Sequence, residues 1–593
     1  MFDRRSLLGD ALDDPAARGI LDRHVPGVSN SPSAVRLRGE RLGAFVALLP
    51  NLDDATRETL WRELREVGPD AVGTAHSPAI APRADYEGAA VPRGSARLVS
   101  PAPVPRWDVL EVRLEGPSHG NPFVDVELHA VFTRPDGSQA RVGGFYDGDG
   151  AYLVRALADA EGEWTFTTAS TARSLDGVSG TATVIAPREG SHGPVRVDGF
   201  HFRHADGTRH RPLGTTAYAW THQPDALQEQ TLRTLAAAPF RKLRTCVFPK
   251  SYLYNSNEPA DFPFPGSLAD GFDLERFDAR HFHRLEQRIQ QLADLDIQAD
   301  LILFHPYDRW GFSDLGPAVD ERYLRYVVRR LSAHANVWWS MANEFDLMWS
   351  KSEADWERLA GVVTEEDAFG HLNSIHNCRV PYDHSRPWIT HVSMQRTDTY
   401  RTAENTDQWR DAWHKPVVVD ECAYEGDVDQ GWGNITGEEL TRRFWEGAVR
   451  GGYVGHGETY LPAAVGGVTD LTEVAGTDDE VLWWAKGGVL HGSSPERIAF
   501  LESLMAEAPD GVWDPLAEDW DVPWGGTHDH RIGYLGFNRP RFRNVVLADG
   551  DWEIDVIDTW NLTVERMPGI HRGTVRVALP GRQHMAIRLR LVG

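Results

Sequence analysis

Two short stretches hold the residues best suited to chemistry. In NVWWSMANEFD (residues 336–346) an apolar run breaks into Asn343 and Glu344, and in KPVVVDEC (residues 415–422) a second apolar run ends in Asp420 and Glu421. Paired carboxyls of this kind suit the cleavage of a glycosidic acetal. The leaving oxygen departs poorly unless one acid protonates it, and the oxocarbenium-like carbon needs a negative group on its opposite face. The two acids must therefore hold different protonation states. A separation of about 5 Å permits direct attack with retention, whereas about 6.5–9.5 Å leaves room for water and gives inversion. An isolated strand-end glutamate more often caps a helix or pairs with an arginine; two in matched contexts favour catalysis.

Such a pair needs a scaffold that brings distant strand ends together. Residues 195–511 alternate short apolar strands with helical segments, the pattern of parallel βα units. Eight strands are predicted: Pro212–Tyr218, Leu243–Phe248, Ile297–His305, Val337–Glu344, Leu372–His376, Trp388–Gln395, Pro416–Glu421 and Tyr453–Glu458. The fifth is the weakest. Most finish in polar or aromatic residues, as the C-terminal strand ends of a catalytic (β/α)₈ barrel do. Glu344 then ends strand four and Glu421 strand seven, with room between them for three βα units.

Around this pair the strand ends supply candidate substrate contacts. His305, Tyr307 and Asp308 follow strand three, His376 ends strand five, and His391 and Gln395 lie on strand six. Tyr424 and Glu425 come directly after strand seven, and Glu458 ends strand eight, where it either clamps a sugar diol or caps a helix. Trp432, Trp483 and Trp484 are candidate stacking walls among 21 tryptophans, some of which must be core.

The flanks differ in character. Residues 1–68 read as a small helical module, with Leu42, Phe45, Val46 and Leu49 on one face, and Leu60, Trp61, Leu64 and Val67 on another after an Asp53-Asp54 cap. Residues 69–105 are rich in proline and glycine and read as a linker. Residues 106–194 alternate in the strand manner, with Val124, Val126 and Leu128 opposite Asp125 and Glu127, and read as an Ig-like β-sandwich. Residues 512–593 predict a second sandwich, in which Ile587, Leu589 and Leu591 alternate with Arg588 and Arg590. The expected fold class is α/β: a central TIM barrel flanked by two β-sandwiches, with a helical module in front.

The motifs resemble those of clan A glycoside hydrolases, in which an Asn-Glu pair ends strand four and a second Glu ends strand seven. The resemblance implies that Glu344 is the acid/base, that Asn343 holds the sugar 2-hydroxyl, and that Glu421 is the nucleophile of a retaining glycosidase. GTTAYAW (214–220), CAYEG (422–426), FWEG (444–447), GHGETY (455–460) and WWAKGG (483–488) further resemble bacterial glycosidases with one sandwich before the barrel and another after it. This likeness spans residues 106–593. It implies a carbohydrate substrate and exo action on oligosaccharides or small glycosides.

Composition excludes several other classes. With 61 basic and 87 acidic residues the net charge is -26, which repels nucleic acid and anionic membranes. Neither a P-loop nor a strand-linked GxGxxG occurs, so no nucleotide cofactor is expected. The three cysteines are scattered, and no long apolar run marks a leader or a span, so a cytoplasmic protein is expected. Self-association through the sandwiches stays open. Two alternatives remain: a metal-dependent hydrolase using His305, His376, His391 and His456, and a non-catalytic carbohydrate-binding barrel. The first lacks a metal-binding spacing, so no metal is expected, and the second leaves two retained carboxylates without a purpose.

Overall fold

The computed structural model describes residues 2–592 other than 31–33, 35–36, 50–51, 68–76, 253, 349, 397–401, 462–480 and 518. Its centre is a parallel barrel of β1 (Gly214–Thr216), β2 (Lys242–Cys246), β3 (Gln298–Ile302), β4 (Val337–Ser340), β5 (Asn373–Ser374), β6 (Val392–Gln395), β7 (Val417–Glu421) and β8 (Tyr453–His456). The strands neighbour one another in the order β5-β4-β3-β2-β1-β8-β7-β6. A parallel bridge between His376 and Ser393 joins the two edges and closes the barrel. Every predicted strand is present, the weak fifth included. Most are shorter than predicted at the C-terminal end, because Tyr218, His305 and Glu344 have left the ladder to face the cavity or the loops.

Helices α1 (Asp225–Ala237), α2 (Ala279–Asp294), α3 (Pro317–Leu331) and α4 (Glu353–Glu366) follow the first four strands, and α5 (Thr406–Trp413), α6 (Gly437–Val449) and α7 (Ser494–Ala506) follow β6, β7 and β8. The β5–β6 connection has no helix. With helices outside and side chains within, the strands are buried on both faces and carry apolar runs such as VVV at 417–419. Lys242, Asp300 and Asp420 break that rule inside the barrel. Lys242 Nζ donates to Asp300 at 2.8 Å and also to Asp420, while Ser393 Oγ donates to Asp420 at 2.6 Å.

In the first sandwich, strand Gln139–Gly148 pairs with Leu128–Thr133 along its first half and with Ala151–Leu157 along its second. The switch falls at Gly143-Gly144. A Cβ on Gly143 would lie 2.4 Å from Arg329 Nε and one on Gly144 would lie 2.8 Å from Leu128, so glycine lets the sandwich press against α3. Two details differ from the sequence reading. Pro122–Asp125 forms a helical turn, so the strand begins only at Leu128, because Pro122 at the first helical position favours that turn. Arg97–Val99, within the predicted linker, pairs antiparallel with 113–115; its alternation is too short to stand out from the prolines around it.

The C-terminal domain is a six-stranded sheet with a two-stranded companion. In Met585–Leu591, Ile587 and Leu589 face its own core, yet Arg588 is buried as well, paired to Asp555 and to Glu507 at the end of α7. The polar face of this strand is therefore a face against the barrel. The N-terminal module has its own core, in which Leu8, Leu12 and Leu21 join Leu42, Phe45, Val46, Leu60, Trp61 and Leu64. Asp53 caps Asp54–Glu66 through Thr56 N at 2.7 Å.

A charged clamp fixes the first sandwich to the barrel. Arg330 on α3 is fully buried and pairs with Asp147 of the sandwich at 2.6 Å and Glu286 of α2 at 2.7 Å, while sandwich Arg155 reaches Glu286 at 2.7 Å. Removing one member of a buried network strands the others. Arg330→Ala is expected to lower unfolding stability by about 3–5 kcal/mol in calorimetry or denaturant titration; a change under about 0.5 kcal/mol would show that the clamp carries no stability.

Candidate functional site

Glu344 stands four residues beyond β4, with left-handed backbone angles (φ 55°, ψ 53°), and Glu421 is the last residue of β7. Both are nearly enclosed, at 5% and 7% exposure. Gln395, ending β6, links them: its side chain hydrogen-bonds Glu344, and its Oε1 lies 3.2 Å from His376 Nε2, which in turn lies 3.3 Å from Glu421 Oε1. Tyr307 donates its hydroxyl to Glu344 and Tyr218 donates to Glu421. Arg244 NH1 stands 3.6 Å from Glu421.

These surroundings separate the two acids electrically. Burial and the charge of Glu421 push Glu344 up to about 7, against the opposing pull of Tyr307, Lys250 and Gln395. Burial would also raise Glu421, but His376, Arg244 and Tyr218 together outweigh it and hold this carboxyl at about 2. Burial and the neighbouring carboxylates push the phenols of Tyr218 and Tyr307 well above their ordinary value, so both remain donors. At neutral pH one acid is an ionised carboxylate and the other is poised to give up its proton. That is the arrangement in which paired acids divide acid and base work.

The remaining sequence candidates divide into two groups. Tyr307, His376 and Gln395 touch the acid pair, and Tyr424 lies with its hydroxyl 3.4 Å from that of Tyr218. Trp484 and half-buried Trp432 lie 4.8 Å apart, and Trp484 meets Tyr218 edge-on at 6.0 Å, so both flank the pocket. Asn343 is buried next to Glu344, and its Oδ1 has no partner among the described residues.

The other candidates make their contacts with the protein itself. His305 is buried, with Nε2 3.1 Å from Phe248 O. Asp308 holds the loop after β3 by accepting from Trp310 N at 2.8 Å, Gly311 N at 3.1 Å and Ser313 N at 2.7 Å. His391 precedes β6 at the entry end of the barrel, packed 5.2 Å from Trp338 and 5.7 Å from Phe202, so it is a core histidine. Trp483 is core too, donating to Thr215 Oγ1 at 2.8 Å. Glu425 accepts from Ser493 N at 2.7 Å and Ser494 N at 3.0 Å, and Glu458 accepts from His491 N at 2.6 Å and Gly492 N at 2.7 Å. Both glutamates anchor the start of α7. The four strand-end histidines each have a partner of their own: His456 lies 2.9 Å from Thr215 Oγ1, His305 3.1 Å from Phe248 O, His376 3.0 Å from Ser393 Oγ and His391 3.0 Å from Thr390 Oγ1. Among the described residues no three His, Cys, Asp or Glu side chains cluster as metal ligands.

Sequence reading passed over Arg244, Lys250 and Tyr252. Lys250, in the loop after β2, is buried with Nζ 3.9 Å from the Tyr218 ring centre, 4.4 Å from Tyr307 and 5.1 Å from Trp484, and its charge reaches both acids. Arg244 had a readable signal, because Lys242 and Arg244 alternate with Leu243 and Thr245 and so share one face of a fully buried strand. Lys250 had none.

A closed parallel barrel with two buried carboxyls at its C-terminal rim is the arrangement that glycosidase barrels use. The chain belongs to the apiosidase-like family, whose catalytic domain matches residues 198–507; domains of unknown function DUF5060 and DUF5605 match 103–171 and 520–590. A crystal structure of a Bacteroides vulgatus ATCC 8482 protein assigned as a glycoside hydrolase is 36% identical, with a TM-score of 0.75, covering 82% of this chain and 99% of that one. A family 5 glycoside hydrolase from the same organism is 14% identical with a TM-score of 0.52, over 67% of this chain and 94% of its own, and shares the fold. Comparison with curated proteins gives no match. Among the described residues no helix is long and apolar enough to cross a membrane. The protein is a glycoside hydrolase barrel with added β domains, as the motifs implied.

The hydrogen bonds to the acids yield a test. Removing a donor disfavours a carboxylate, so Tyr218→Phe is expected to raise the Glu421 pKa from about 2. Difference infrared titration of the carboxylates reads this directly. An unshifted carboxylate would mean that the phenol does not hold the charge.

Proposed function

We propose that this protein is a retaining, exo-acting glycosidase in which Glu344 is the acid/base and Glu421 the nucleophile. The observation that carries the reading is the unequal environment of the two acids: Glu344 pushed up to about 7 and Glu421 held at about 2, coupled through Gln395 and His376. In the first step Glu344 gives its proton to the glycosidic oxygen while a Glu421 oxygen bonds to the anomeric carbon and the bond to the leaving group breaks. In the second step the Glu344 carboxylate takes a proton from water as that water attacks the anomeric carbon and releases Glu421.

The enclosure of both acids supports action on a terminal residue, since an internal sugar of a polymer needs an open groove. In this reading Asn343 holds the 2-hydroxyl, and Trp484 and Trp432 stack on the ring. The acidic surface suits a neutral carbohydrate. Because the family is described by apiosidase activity, branched-pentose furanosides belong in the substrate panel beside pyranosides of both anomers.

Two outcomes are expected on that panel. Glu421→Gln removes the nucleophile and should lower kcat by about 10³-fold or more with the fold intact, whereas Glu344→Gln should impair poor leaving groups far more than activated aryl glycosides. Normal turnover by folded Glu421→Gln, or equal losses on both substrate types for Glu344→Gln, would overturn the assignment. For the wild type, kcat/KM should be flat between the two acid pKa values and fall about tenfold per pH unit above about 7, as Glu344 loses its proton. An alkaline limb that persists in Glu344→Gln would assign the titration to another group.

A further inference from the structure

The N-terminal helical module lies outside all three family matches, which begin at residue 103. Its turn before Leu42–Leu48 nevertheless reaches the barrel rim. The backbone there is pinned from both sides: Leu8 N donates to Glu40 O at 2.8 Å, Leu42 N donates to Ser6 O at 2.7 Å, and Leu7 bridges Arg41. The Arg41 guanidinium then spans the junction, donating to Arg5 O of the module and to Ser313 Oγ of the barrel, each at 2.6 Å.

Ser313 is where two catalytic-face loops meet. Its N–H donates to Asp308 in the loop that carries Tyr307, and its carbonyl accepts from Ser350 Oγ at 3.2 Å and Lys351 Nζ at 3.4 Å in the loop after Glu344. With Arg41 docked on this residue, its neighbour Glu40 comes near enough for its charge to act on Glu344 and Lys250. The half-buried Glu40 carboxylate has no hydrogen-bond or ion-pair partner among the described residues, and its charge reaches Glu344, Lys250, Tyr252 and Tyr307. Tyr218 and His376 surround Glu421 instead.

We propose that the module completes the active site, with Glu40 facing the leaving-group side of the pocket, where it accepts hydrogen bonds from hydroxyl or amino groups of a neutral or cationic leaving sugar and excludes an anionic one. The inference rests on the glycosidase reading, in which the leaving group occupies the side of the protonating acid. Burial and the Glu344 charge push Glu40 up to about 7, in keeping with a carboxyl that lacks a protein partner. A like-charged sugar acid beside this carboxylate would meet repulsion and desolvation together.

The test uses full-length enzyme and disaccharides that share the cleaved sugar but carry a neutral, an amino or a uronic-acid leaving sugar. Glu40→Gln should raise KM for the neutral disaccharide about tenfold and shrink its preference over the uronate at least about tenfold. Arg41→Ala, which undocks the turn, should shrink the same preference, whereas exposed Glu58→Gln in the same module should match wild type. An unchanged preference in folded Glu40→Gln, with wild type active, overturns this inference alone. A wild type inert on every glycoside overturns the glycosidase reading and this inference with it.

Discussion

An ionised carboxylate at 7% exposure is the constraint around which this barrel is organised. A buried charge without compensation costs several kcal/mol and would simply take up a proton. Glu421 keeps its charge because β1, β2 and the end of β5 each send a donor towards it: Tyr218, Arg244 and His376. Glu344 is hydrogen-bonded by the neutral side chains of Tyr307 and Gln395 and sits beside that charge, so the same burial drives it the other way. One environment, unequally furnished, yields two chemically different glutamates.

Beneath the pair, the polar interior sets the register that brings those donors together. Lys242 on β2 ties Asp300 on β3 to Asp420 on β7, and Ser393 on β6 links Asp420 to His376. Four strands and the end of a fifth are thus held by side chains as well as by their ladders. Buried ion networks of this kind contribute little net stability, but a one-residue slip in any of these strands would leave a charge unpaired. Asp420 is held well below the usual carboxylate range, with the charges of Lys242 and Arg244 overcoming its burial. Asp420 therefore stays charged wherever Glu421 does.

Much of this was legible in the sequence. Strand order, the paired acids and the flanking β domains follow from apolar runs that end in carboxylates and from alternation of period two. The site was less legible, because sequence gives the strand to which a side chain belongs but not its partners. Glu425 follows strand seven and Glu458 follows strand eight, close to where a barrel carries its chemistry, and only the fold reveals that backbone amides at residues 491–494 take up their oxygens. His391 alternates like a cavity-lining residue but lies at the opposite mouth of the barrel. Lys250 belongs to a loop whose path no periodicity encodes.

The left-handed backbone at Glu344 works against the residue it carries. A side chain with a Cβ in that region is held at an energetic disadvantage that glycine would not suffer, on the order of 1 kcal/mol. The proposed acid/base therefore stands where the local backbone by itself would favour a residue with no carboxyl at all.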